Sequence, residues 1–64
     1  MAERLKSARE RRVLTIRGLA EAAGVAVMTI WRIEHGQVTA TVMTTRKLAT
    51  ALGVDPAWLR FGDG

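Results

Sequence analysis

The segment Thr15–Gly36, TIRGLAEAAGVAVMTIWRIEHG, constrains the fold of this chain more than any other stretch. Its apolar residues recur at helical spacing on both sides of a glycine. Leu19, Ala20 and Ala23 make one inner stripe, Gly24 and Val25 a turn, and Ile30 and Ile33 a second inner stripe. Residues three and four apart share a helix face, so the pattern predicts two short helices pressed together across a tight corner. Thr15 is placed as an N-cap, since its hydroxyl can accept from an orphan N–H two or three residues on. Gly24 and Gly36 stand where helices end in the left-handed conformation.

The flanks extend this reading. A helix from about Ala2 to Arg12 turns Leu5 and Ala8 inward. Gln37–Ala40 reads as a loop, Thr41 as a cap, and Val42–Leu52 as a helix with Val42, Leu48, Ala49 and Leu52 on its buried face. Gly53 ends it. Asp55-Pro56 is a start signal, an Asp cap before a proline whose missing N–H costs nothing at the first helical position. A short helix from Ala57 to about Arg60 follows, with Trp58, Leu59 and Phe61 expected to close the core. No stretch alternates with period two, so the expectation is one compact all-α unit over residues 1–64. Three residues sit awkwardly in it. Gly18 lies inside a helix, at about 1 kcal/mol relative to Ala. Val13 stands just after the first helix, where glycine is commoner, and Thr45 stands in the fourth helix where the family resembled below prefers leucine.

Composition narrows the chemistry. The 64 residues carry a formal charge of +4 and a pI near 11.2, in the range of nucleic-acid binders. The excess sits in residues 1–17, where Arg4, Lys6, Arg9, Arg11, Arg12 and Arg17 face only Glu3 and Glu10; the rest of the chain balances. A solvated helix face explains such a run equally well on charge alone. There is no cysteine and one histidine, His35. The acidic residues are scattered without metal-ligand spacing, and no glycine-rich phosphate loop is present. No enzyme, cofactor or metal site is expected. No apolar run reaches the roughly 20 residues of a membrane span, so the composition predicts a soluble cytoplasmic protein without membrane contact.

The segments RLKSARERR, LTIRGLAEAAGV, TIWRIEHG and RKLATALGV, in that order and spacing, resemble the Cro/phage-repressor (XRE) helix-turn-helix family over Arg4 to about Gly62. The resemblance implies a five-helix, lambda-repressor-like domain with the helix-turn-helix at helices two and three. It also implies a transcriptional regulator, commonly a repressor, that lays its third helix in the DNA major groove. Such proteins usually bind inverted-repeat operators as homodimers, which would place this one on the nucleoid of a bacterium or a phage-infected cell. An arginine of the first helix pairs with the glutamate that ends the third in this family, and the matching residues are Arg9 and Glu34.

Helical spacing puts Ala26, Val27, Met28, Trp31, Arg32 and His35 on the outward side of the third helix. Val27, Met28, Trp31 and Arg32 are the candidate base contacts: apolar groups can pack on thymine methyls, and a guanidinium can take the O6 and N7 edge of guanine. Thr15, Arg17, Thr29, His35, Gln37, Thr39 and Thr41 are the candidate phosphate contacts, with Arg46 and Lys47 nearby in sequence. Relatives usually carry polar residues where this chain has Ile16, Val27 and Met28, and a more basic loop after the third helix. Few hydrogen bonds and a shallow salt dependence are therefore expected. Two further readings stay open at this stage: the Ile16/Val27/Met28/Trp31 face docks a protein partner, as in an antitoxin-like or anti-regulator module, or these side chains only pack locally. Trp58 and Phe61 are the candidate homodimer contacts, and a core role is the competing reading for both.

Overall fold

A computed structural model describes residues 1–63; Gly64, the last residue of the expected unit, lies outside them. Five helices follow in order, α1 (Ala2–Arg11), α2 (Ile16–Ala23), α3 (Val27–Glu34), α4 (Val42–Leu52) and α5 (Pro56–Phe61), and no strand is present among the described residues. Leu5, Leu19, Ile30, Leu48, Leu52 and Leu59 are the large side chains sealed at the centre. Each helix contributes at least one of them. α3 packs against α1 and α2, while α4 packs against α2 and α5. The two halves of the helix-turn-helix thus share one core with the helices that flank them.

The caps fall where hydroxyls and an Asp were available. Thr15 Oγ1 accepts from Gly18 N at 2.9 Å, Thr41 Oγ1 from Thr44 N at 3.1 Å, and Asp55 Oδ1 from Ala57 N at 3.4 Å. The last helix is one residue longer at each end than expected, Pro56–Phe61. Gly18 has a local reason beside its cost: a Cβ there would stand 3.2 Å from the capping Thr15 oxygen.

Two expected core residues are not core. Val42 opens α4 on the solvent side with 59% exposure, and Phe61 is 67% exposed at the end of α5. Leu48, Ala49 and Leu52 already complete the α4 face, and Leu59 fills the α5 position alone. Trp58 is half-buried against the core, with the Arg11 guanidinium 5.7 Å over its ring. Thr45, by contrast, joins the buried face of α4 at 3% exposure.

The chain leaves α1, α2, α3 and α4 by one device: an N–H bonds back to the carbonyl five residues earlier. The pairs are Leu14 to Arg9, Val25 to Ala20, Gln37 to Arg32 and Val54 to Ala49. This closure needs a left-handed residue just before the donor. Glycine supplies it at positions 24, 36 and 53, but after α1 the residue is Val13, at φ 56°. A β-branched side chain in that region is strained.

α1 and α3 are joined by a buried ion pair. Arg9 Nε donates to Glu34 Oε2 at 2.7 Å and Nη2 to Glu34 Oε1 at 3.0 Å, while Nη1 reaches the Leu14 carbonyl at 2.8 Å. The two side chains are only 12% and 3% exposed. The Glu34 hydrogen bond raises the Arg9 pKa against the opposing effect of burial. A forked, two-bond contact of this kind fixes an angle as well as a distance.

Val13→Gly is expected to stabilise the domain by up to about 1 kcal/mol. Relief of about 1–2 kcal/mol of left-handed strain outweighs the chain entropy of glycine, and Val13, 89% exposed, gives up no packing. Thermal unfolding measures this, and a lowered midpoint would contradict it. Glu34→Ala should cost about 3 kcal/mol because it strands a buried guanidinium. Arg9→Met combined with Glu34→Leu should recover most of that loss in a double-mutant cycle, whereas additive losses would show the pair is not a unit.

Candidate nucleic-acid interface

The outward side of α3 is a continuous stripe. Met28, Trp31, Arg32 and His35 follow one another at helical spacing, with Val27 beside them at the N-terminal end. Val27 is 42% and Met28 51% exposed, Arg32 and His35 are exposed, and Trp31 is half-buried. The inward side carries Ile30 and Ile33 into the core. Thr29 lies between the two faces, half-buried. Because Glu34 is fixed to α1, the whole stripe is presented by a helix that cannot roll without breaking the fork.

Trp31 and His35 act as one unit, a local packing of the kind that the third reading of this face expected for Trp31. Their rings stack with centroids 3.9 Å apart and planes 19° from parallel, and His35 Nδ1 lies 2.8 Å from the Trp31 carbonyl. Since a carbonyl only accepts, Nδ1 carries the hydrogen and the free Nε2 of a neutral ring is an acceptor. A phosphate contact from this ring therefore requires the imidazolium form. The i, i+4 spacing of the two rings was the available signal.

The other candidates divide between charged and neutral donors. Arg17 is exposed in the first turn of α2, beside the helix N-terminus whose unpaired N–H groups favour an anion. The Thr15 hydroxyl accepts the Gly18 N–H and keeps its own hydrogen for an outside acceptor. At the start of α4 the Thr41 hydroxyl donates to Thr44 Oγ1 at 3.1 Å, so its own hydrogen is spent and the Thr44 hydroxyl keeps the free one. Thr44 thereby joins the candidates. Gln37 and Thr39 are exposed in the loop, as are Arg46 and Lys47 on α4. Ile16 does not extend the apolar stripe as a fully open residue; it is half-buried and packed on the core.

Beside the loop that follows α3, Phe61 stands between two open grooves, one lined by Met1, Val38 and Thr39 and the other by Val42, Arg46 and Pro56. Arg60 belongs to both, with its guanidinium 5.7 Å from the Phe61 ring. Of the two candidate dimer residues, Phe61 is therefore the open one and Trp58 the packed one. No group of three or more His, Cys, Asp or Glu side chains that could hold a metal occurs among the described residues. No helix among them is long and apolar enough to cross a membrane.

Comparison with known proteins places this geometry. The family model described as a helix-turn-helix domain matches residues 1–60. The HTH-type transcriptional regulator PrtR of Pseudomonas aeruginosa is 47% identical over an alignment covering 98% of this chain and 24% of that protein. A crystal structure of an HTH_3 family transcriptional regulator from Vibrio cholerae superposes with a TM-score of 0.87 at 29% identity, covering 97% of this chain and 35% of that one. The chain thus spans about a quarter of the length of the curated relative and about a third of the solved one. On the family match, the arrangement of helices and the segments that carry it, the chain belongs to the helix-turn-helix family of the Cro/phage-repressor type.

Proposed function

We propose that this chain binds duplex DNA sequence-specifically and regulates transcription, acting as a repressor by occupying its operator. The observation that carries the reading is the outward stripe of α3, which includes an exposed Arg32 and is held by a buried ion pair. Arg32 reads a guanine edge, while Val27, Met28 and Trp31 make apolar contacts with thymine methyls. Arg17, Thr15, Thr29, His35 and the loop residues Gln37, Thr39 and Thr41 hold the phosphates and set the register. The names of both relatives describe transcriptional regulators, which supports the same direction.

Two copies are needed for an inverted repeat. The longest extent of the molecule is 29 Å, shorter than the roughly 34 Å between half-sites one DNA turn apart. A homodimer through the open Phe61 end, with Val38 and Val42 in the adjoining grooves, supplies the second copy. The exposure of Val27 and Met28 favours one competing reading, in which the α3 stripe docks a protein partner rather than DNA.

Substitution separates the two. Arg32→Ala is expected to leave the fold intact and to erase preference at one base-pair position, a loss of about 1–3 kcal/mol of discrimination, read by competition binding with single-mismatch duplexes. If Arg32→Ala leaves the preference unchanged while Trp31→Ala abolishes capture of a protein partner, the stripe is a protein-docking surface instead.

A further inference from the structure

The loop between α3 and α4 has no Lys or Arg of its own in Gln37–Ala40. Its end is nevertheless firmly held, from a distance. Arg60 of α5 reaches back 20 residues, and its Nη1 donates to the Ala40 carbonyl at 2.6 Å and to Thr45 Oγ1 at 3.3 Å. The Thr45 hydroxyl donates in turn to the Thr41 carbonyl at 2.8 Å. Two successive carbonyls at the entrance to α4 are thus held by one polar knot, sealed by Ala40 at 4% and Thr45 at 3% exposure. Arg60 is itself anchored: Arg4 of α1 donates Nη2 to the Arg60 carbonyl at 2.8 Å and Nε to the Leu59 carbonyl at 3.2 Å.

We propose that Arg60 is a positioning residue for the DNA-backbone contacts of this loop and of the α4 N-terminus. The inference rests on the DNA-binding reading above and adds a determinant outside the reading surface. Neutral donors such as Thr39 and Thr44 contribute through directed hydrogen bonds, which weaken steeply as their angle departs from linear. An uncharged loop can therefore serve a phosphate only if its direction is fixed, and Arg60 fixes it through Ala40 and Thr45. The hydroxyl at position 45 follows from the same requirement. A leucine there would fill the core but leave the guanidinium without a side-chain acceptor. Because Arg60 flanks Phe61, a second copy docked on that end would bear directly on the loop that touches DNA.

The test titrates the wild-type chain, Arg60→Met and Thr45→Val with a duplex selected from a random library and with a mismatched duplex, across a salt series. Amide hydrogen exchange at Thr39–Thr44 is followed in the absence of DNA. Both variants, shown to be folded by circular dichroism at low temperature, should bind both duplexes about tenfold more weakly, the order of one hydrogen bond to a charged group. The salt slope should stay at the wild-type value, since no phosphate-neutralising cation is lost, and the Thr41 and Thr44 amides should exchange faster. A mere loss of stability lowers the active fraction and leaves the affinity of the folded molecules unchanged, and that result overturns the proposal. So does a slope that falls by about one in Arg60→Met, which would make Arg60 a phosphate contact in its own right. If Arg60→Met does not fold, Thr45→Val decides alone. A folded wild-type chain that binds no duplex overturns the DNA reading itself, whereas variants that bind as well as a binding wild type overturn only the role of Arg60.

Discussion

The buried fork between Arg9 and Glu34 is the constraint on which the rest of the molecule depends. A chain this short has few large side chains to bury, and apolar packing alone is tolerant of small rotations. A two-bond ion pair is not. It ties the last residue of α3 to the third turn of α1, and through Nη1 it also holds the Leu14 carbonyl at the entrance to α2. All three helices that define the helix-turn-helix and its support therefore meet at one guanidinium. Such pairs add little net stability compared with apolar replacements, but losing one partner is costly. The value of this pair lies in the orientation it enforces on the exposed stripe of α3.

Much of the fold was legible because its signals are local. Thr15, Thr41 and Asp55-Pro56 mark helix starts by their own chemistry, and Gly24, Gly36 and Gly53 mark ends through the left-handed closure they permit. The stripes of Leu19 and Ala20, and of Ile30 and Ile33, are read from spacing alone. What was not legible depends on reach. Helical spacing assigns Val42 and Phe61 to the core, but the structure leaves both exposed and buries Thr45. Thr45 can be buried because the Thr41 carbonyl and an arginine 15 residues away satisfy its hydroxyl. No periodicity announces an arginine that crosses from α5 to the loop, nor one that crosses from α1 to cap α5.

The candidate site shows the same division. Which residues of α3 face outward follows from helical geometry, and the structure leaves Val27, Met28, Arg32 and His35 exposed. The stacking of Trp31 on His35 and the commitment of His35 Nδ1 to a carbonyl are side-chain choices, and they change what those residues can offer. The stacked pair presents one aromatic plate rather than two separate contacts. Beside it, Val27 and Met28 present methyl and thioether groups instead of amides. On the proposed reading, a surface of that kind would make few hydrogen bonds to base edges, and DNA shape and deformability would carry a larger share of its discrimination.

Selection of duplexes from a random library at about 150 mM salt, where binding by charge alone is already weakened, tests the proposed DNA-reading role of α3 most directly. Enrichment of an inverted repeat with half-sites one helical turn apart, containing a guanine whose replacement is tolerated only by Arg32→Ala, is the predicted result. A folded protein that enriches no motif would contradict it and would leave the exposed α3 stripe as a surface for a protein partner.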